Sequence, residues 1–163
     1  MIFRCLVRPA KLIASVLAIG FIASTASAQP AGLDWRQFRD RSGTLVDYPA
    51  ALFSETPAEG ENGVTLARRD GRAQLRIFTV ANARGETPRS FLRREFPFDR
   101  ATLAYDRVAR NFFAVSARRE GRIVYTRCNF AQRIHCIELA YPQSEKRAFD
   151  PVTTRISLSL RPQ

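Results

Sequence analysis

The chain has 163 residues, with 26 Lys and Arg against 15 Asp and Glu and a formal net charge of +11 at pH 7. This length suits one domain with its own hydrophobic core, and no internal repeat or low-complexity segment indicates a second. The positive charge favours polyanions: phosphorylated lipid headgroups, acidic glycans or nucleic acid. The alternative is a solvated cationic surface, because the arginines are spread along the chain with acidic residues among them.

The N-terminus predicts a secretory signal peptide. Arg4, Arg8 and Lys11 precede a mostly apolar run at 12–23, and residues 26–28 (Ala-Ser-Ala) form a small-x-small cleavage site. The run is shorter than the about 20 residues that a membrane span needs. A retained N-terminal anchor is the alternative interpretation.

Removal of residues 1–28 lowers the formal net charge from +11 to +8 and leaves residues 29–163 as a single α+β domain, periplasmic or secreted. Export makes nucleic acid the least favoured polyanion. The expected partners are therefore an envelope protein, an anionic lipid or an anionic glycan, and cleavage leaves no membrane anchor.

The first half of that domain predicts a helix, a strand and a loop. Trp35 and Phe38 lie three residues apart, which favours a short helix at 34–41. Residues 44–48 predict a strand, and Pro, Gly and Asn predict a loop at 55–63.

A hairpin and a helix come next. Asp70-Gly71 is typical of a two-residue type I′ turn, here between strands at 64–69 and 72–80. A helix follows, with Thr87 as its N-cap, Pro88 at its first position and Pro97 ending it.

Four further strands form a predicted meander, at 102–109, 112–119, 122–130 and 134–141. Both of its faces are apolar, and Leu103 is expected on the same face as Tyr105 and Tyr125. A sheet with one wet face alternates apolar and polar residues instead. We therefore expect helices or a second layer to cover both faces of this antiparallel sheet.

Cys128 and Cys136 lie directly opposite each other if residues 131–133 form the turn of the last hairpin. Opposed Cα atoms lie about 4.5 or 5.5 Å apart, within the range that a disulfide spans. Their spacing fits neither a zinc pair nor a CxxC redox motif, so we predict a structural disulfide.

The C-terminus predicts a last helix. Asp150-Pro151 is a favourable start, and apolar residues follow at i, i+4 and i+8. Residues 156–161 also alternate between apolar and polar, so a final strand is the alternative there.

Between Gly43 and Arg161 the chain resembles the small exported α/β/α sandwich domains related to PsbP and DcrB. The resemblance rests on the order of elements, on Tyr-Pro at 48–49 and 141–142, and on Ile-Ser-Leu-Ser-Leu at 156–160. It implies a single α+β domain with a central antiparallel sheet between helices. It also implies assembly or accessory proteins without a shared catalytic site.

His135 is the sole histidine and the first candidate for acid–base chemistry. It shares a strand face with Ile137 and Leu139, which favours a packed, structural role. The sequence has no G-x-S-x-G serine, no phosphate-cradling glycine loop, and no H-E-x-x-H or calcium-loop pattern. We therefore assign no catalytic, cofactor-binding or metal-binding residue.

The main functional hypothesis is a non-catalytic exported accessory domain that contacts an anionic envelope component. Its candidate anion-binding residues are Arg68, Arg69, Arg72, Arg118, Arg119 and Arg122. The alternative is a small secreted hydrolase or transferase that uses dispersed carboxylates, such as Glu59 and Glu61.

The leader can be tested directly. N-terminal sequencing of the exported protein should begin at Gln29, because signal peptidase cleaves after the small-x-small site. A sequence that starts within residues 1–28 would show that the leader or an anchor is retained.

Overall fold

The computed structural model describes residues 32–54, 57–60 and 63–163. The predicted leader lies outside them and stays a prediction. Ten strands and two α-helices follow one another along the described chain: β1 (Trp35–Arg39), β2 (Thr44–Pro49), β3 (Ala58–Gly60), β4 (Gly63–Ala67), β5 (Gln74–Ala81), α1 (Pro88–Glu95), β6 (Leu103–Val108), β7 (Phe112–Arg119), β8 (Arg122–Phe130), β9 (Arg133–Pro142), α2 (Lys146–Ser159) and β10 (Arg161–Pro162).

The strands form two antiparallel sheets. The large sheet has seven strands in the order β3-β4-β5-β9-β8-β7-β6, and the small sheet has the order β1-β2-β10. Helix α1 covers one face of the large sheet, while α2 and the small sheet cover the other. The predicted α+β fold, a central antiparallel sheet with a helix on each face, is confirmed.

The β8–β9 ribbon lies near the middle of the large sheet. Its register places Cys128 opposite Cys136 and Phe130 opposite Ile134, as predicted. The two cysteines form a disulfide, with their Cα atoms 4.1 Å apart and neither residue exposed. The same register therefore satisfies the crosslink and the burial of apolar groups on both faces.

The α1 face holds a cluster of phenylalanines. The rings of Phe91 of α1 and Phe130 pack in a T-shaped arrangement with 5.7 Å between centroids, and Phe91 lies 6.4 Å from Phe113. Thr87 caps this helix by accepting the N–H of Ser90, as its sequence predicts.

The α2 face holds the second, larger core. Phe149 and Ile156 of α2 pack against Ile137 and Leu139 of β9, and Val46 of the small sheet closes the same core. Stacking of Tyr141 on Phe149, with 4.4 Å between ring centroids, fixes the start of α2 against the end of β9.

His135 belongs to this covered face and joins the small sheet to the large one. It is 2% exposed, and its Nδ1 lies 2.8 Å from the hydroxyl of Thr44. Thr44 also contacts the hydroxyl of Thr79 at 2.7 Å, and that hydroxyl donates to Asp40 at 3.3 Å. The ring is thus buried in a polar network between the small and the large sheet.

The helix predicted for 34–41 is wrong, since these residues include the strand β1. Five register pairs join β1 to β2, and Trp35 and Phe38 are half-buried against the core from this strand. Pairing with β2 therefore overrides the i, i+3 spacing. The loop predicted for 55–63 also contains a short strand, β3.

The type I′ turn predicted at Asp70-Gly71 is wrong as well. Gly71 has φ of 67°, but Asp70 has no positive φ, and the N–H of Gly71 donates to the carbonyl of Arg68 at 2.8 Å. Glu120 and Gly121, with φ of 51° and 73°, meet the requirement for a type I′ turn instead.

Leu103 does not share a face with Tyr105. A bulge shifts the β6–β7 register between them, so that Leu103 opposes Ala117 while Tyr105 opposes Ser116. Leu103 therefore packs with the α1 cluster. The extra residue is a local irregularity that strict alternation does not anticipate.

The last helix begins earlier than Asp150-Pro151 predicts. It starts at Lys146 after a 3₁₀ turn at Gln143–Glu145, and Pro151 lies inside it. Residues 156–161 divide between both predicted alternatives, because the helix ends at Ser159 and Arg161 pairs with β2.

Loss of the disulfide should weaken the fold without changing it. Replacing Cys128 and Cys136 together with alanine should lower the free energy of unfolding by about 2–3 kcal/mol, because the crosslink restricts the unfolded chain. Urea unfolding, compared with the unaltered protein, measures the difference. Equal stabilities, or two free thiols in the intact mass of the unaltered exported protein, would contradict this role.

Stability should also respond to the protonation of His135. Burial lowers the pKa of His135, while the carboxylate of Asp40 opposes this shift and Arg133 adds to it. The unfolded chain then takes up the proton more readily, so stability is full above about pH 6.5 and falls as the pH drops below it.

The measurement is the unfolding midpoint between about pH 8 and pH 5, above the titration range of ordinary carboxylates. His135→Gln should flatten the decline, since no other histidine is present in the chain. A decline of the same size in both proteins would show that His135 is not its source.

Candidate binding groove

The six predicted anion-binding arginines lie on two neighbouring turns. Arg68, Arg69 and Arg72 belong to the β4–β5 turn, while the other three flank the β7–β8 turn. Arg122 donates to the backbone carbonyl of Arg72 at 3.2 Å, so the structure does bring the two turns together.

Internal contacts occupy several of these guanidinium groups. Arg68 forms ion pairs with Glu145 at 2.6 Å and Asp70 at 2.8 Å. Hydrogen bonding to Arg68 lowers the pKa of both carboxyls. Arg122 is half-buried and donates to two backbone carbonyls, those of Arg72 and Ala140. Arg122 therefore links the two turns, whereas Arg68 links the β4–β5 turn to the segment before α2.

Arg118 and Arg119 remain exposed, but they do not form one surface with the others. Consecutive residues of a strand alternate between faces, so the two arginines of β7 lie on opposite faces of the large sheet. The structure therefore gathers the two turns without assembling six guanidinium groups around one ligand.

A groove of about 410 Å³ lies elsewhere, between α2 and the strands β6, β7 and β8. Within the described ranges, helix α2 packs mainly on β2, β9 and β8 and makes far less contact with β6 and β7. Ala114 and Ser116 of β7 form a low floor between larger side chains, with Arg107 and Arg127 opposite Ala114, and Tyr105 and Tyr125 opposite Ser116. Small residues on the middle strand therefore create the depression.

Two arginines and one aromatic ring define the charged end of the groove. The guanidinium carbons of Arg107 and Arg127 lie 5.4 Å and 4.6 Å from the ring centroid of Phe112. Such cation–π contacts place the two charges on one apolar surface. Neither arginine forms an ion pair with any residue that the structure describes.

Arg127 is fixed in position by further hydrogen bonds. Its Nε donates to Asn129 Oδ1 at 3.0 Å, and its Nη1 donates to Ser157 Oγ at 3.3 Å. The Tyr125 hydroxyl lies 2.6 Å from the same Ser157 oxygen. Burial raises the pKa of Tyr125, so the phenol stays protonated and able to donate at neutral pH.

Exposed apolar groups stand on both walls. Tyr105 on β6 is 46% exposed and Leu158 on α2 is 71% exposed, and they are the large hydrophobic residues left exposed in the described part of the chain. The carboxylate on the rim, Asp150, is ion-paired with Lys146 at 2.7 Å. The groove thus combines free positive charge with apolar surface.

The other chemistry sought in the sequence has no centre in the described ranges. They contain no group of three His, Cys, Asp or Glu side chains placed to hold a metal ion. The carboxylate pair Glu59 and Glu61 falls where the side chains are not described. No helix of residues 32–54, 57–60 and 63–163 is long and apolar enough to span a bilayer.

The sequence pattern predicts that Tyr105, Phe112, Ala114 and Tyr125 share one face of the sheet, and we expected that face to be covered. It did not select Arg107 and Arg127, although alternation puts both on that same face. The strand register therefore already indicated that these arginines and aromatic residues share a face. The missing information was how far α2 extends across the sheet.

Comparison with known proteins identifies the fold. The solution structure of cyanobacterial PsbP (CyanoP) from Synechocystis sp. PCC 6803 matches with a TM-score of 0.59 and 10% sequence identity, over 85% of this chain and 99% of that one. No protein-family model and no curated protein matches the sequence. At this identity the likeness concerns the fold alone, and the chain has a PsbP-like fold.

Proposed function

We propose that this protein is an exported, non-catalytic accessory domain that binds an anionic component of the cell envelope in the groove beside α2. The observation that carries the proposal is the pair of arginines, Arg107 and Arg127, held on one aromatic ring between exposed apolar walls. An anion with an apolar portion fits this combination, because each part of it meets a matching surface.

The use of acidic residues elsewhere supports the same proposal. Asp34, Asp70, Glu86, Glu145 and Asp150 are all engaged by neighbouring cations within the described residues. Since residues 29–163 have 23 Lys and Arg against 15 Asp and Glu, such pairing leaves an excess of arginines at the surface. An excess of one sign favours encounters with anions and makes them sensitive to salt.

Export is supported by two independent features. The first is the predicted leader, which lies outside the described residues. The second is the buried Cys128–Cys136 disulfide, since structural disulfides persist mainly in oxidising compartments. The resemblance to assembly and accessory proteins agrees with a role as a binding domain.

Charge reversal in the groove tests the proposal. Arg107→Glu should weaken binding to anionic probes about three- to tenfold, because it removes one favourable charge interaction and introduces a repulsive one. The probes are vesicles that contain phosphatidylglycerol, dextran sulfate and a soluble polyglutamate peptide, each measured at low and moderate salt. At least one should bind in a salt-dependent and Arg107-dependent manner.

Arg89→Glu is the matched control, because Arg89 is an exposed arginine on α1, on the opposite side of the large sheet. It makes the same change in net charge and should retain most of the binding. Equal losses in both variants would indicate a diffuse cationic surface instead of the groove. Binding that does not depend on the salt concentration would also contradict the proposal.

A further inference from the structure

We propose that the open edge of β6 accepts an extended, acidic segment of a partner protein as an additional strand of the large sheet. The segment would lie along the groove rim, with every second side chain on the sheet face that carries Tyr105 and Arg107. This inference rests on the proposed function and narrows its ligand to a peptide chain.

The edge is open because β6 is the last strand of the large sheet and pairs only with β7 among the described strands. The N–H of Ala109 donates to the carbonyl of Phe112 at 2.8 Å, which marks that pair as hydrogen-bonded. In an antiparallel ladder, hydrogen-bonded and non-bonded pairs alternate. The backbone N–H and C=O groups of Arg107 therefore bond to β7. Those of Asp106 and Val108 point away from the sheet.

Those outward groups distinguish a peptide from other anions. A glycan or a lipid headgroup could meet the charge of Arg107, but it has no regular row of donors and acceptors to match Asp106 and Val108. An extended peptide supplies such a row, as in other cases of strand addition to a sheet edge. The edge and the charge together favour a peptide.

The groove sets the chemistry of the side chains. Tyr105 and Arg107 project to the α2 face, whereas Val108 packs with the α1 cluster on the other face. Residues of an added strand that oppose Tyr105 and Arg107 would share their face. Acidic side chains there would meet Arg107, and aliphatic portions would meet Tyr105 and the exposed Leu158.

The length of the site is limited by the bulge near Leu103. Regular pairing on β6 extends only from Tyr105 to Val108, and the bulge disturbs the edge before it. The occupant is therefore a short segment of about four to six residues, consistent with the usual length of β-strands.

The probe for this site is a fluorescein-labelled octapeptide that alternates glutamate and valine. Two further peptides have the same sequence, with the backbone nitrogens of either the valines or the glutamates methylated. In an extended peptide the N–H groups of alternate residues point to the same edge, so each methylated peptide loses the N–H groups of one edge only. Fluorescence anisotropy with the unaltered protein should show binding that one methylated set weakens at least about tenfold and the other changes little.

A protein variant gives an independent readout. Val108→Pro removes an N–H that makes no bond to β7, and proline is tolerated on edge strands. It should weaken binding of the octapeptide by a similar factor while leaving dextran sulfate binding close to that of the unaltered protein. The thermal unfolding midpoint should fall only by the packing that Val108 loses against the α1 cluster. Hydrogen exchange of the Asp106 and Val108 amides should slow when the octapeptide is bound.

The outcomes separate this inference from the proposed function. If the octapeptide binds in an Arg107-dependent way but neither methylated peptide nor Val108→Pro weakens it, strand addition is wrong and the anion groove stands. If vesicles or dextran sulfate bind and the octapeptide does not, strand addition is likewise wrong and the anion groove stands. Loss of Arg107 dependence for every probe contradicts both proposals. If the protein self-associates and Val108→Pro abolishes this, the edge binds a second copy of the chain, and the proposal of a partner peptide is wrong.

Discussion

The pairing of β8 with β9 is the constraint on which the rest of the structure depends. This ribbon is pinned by the Cys128–Cys136 disulfide and carries buried apolar side chains on both faces. Water can be removed from both faces only if a separate layer covers each of them. The phenylalanine cluster under α1 and the larger core under α2 and the small sheet are the two results of that requirement.

The groove follows from the same arrangement. Helix α2 covers the ribbon, and the network around His135 ties the small sheet to β9 and β5. No equivalent cover from the described residues lies over β6 and β7 on that face, where the small residues Ala114 and Ser116 leave a depression. The sheet is thus crosslinked near its centre, while β6 is an edge strand, and the proposed binding role uses that edge and the groove beside it.

Local rules predicted the elements whose partners are close in sequence. The register of Cys128 and Cys136, the Thr87 cap and the need for two covering layers all followed from short-range patterns. Trp35 and Phe38 were misread because β1 depends on pairing with β2, and Leu103 because a bulge interrupts alternation. The groove could not be predicted, since the distance that α2 reaches across the sheet depends on tertiary packing.

Native-state hydrogen exchange tests the central claim, that the β8–β9 ribbon holds the domain together while β6 is an open edge. We expect the amides of β8 and β9 to exchange slowest, through global unfolding, and the outward amides of Asp106 and Val108 to exchange among the fastest of any strand. Protection of β6 equal to that of the ribbon, or a ribbon that exchanges as fast as β6, would contradict it.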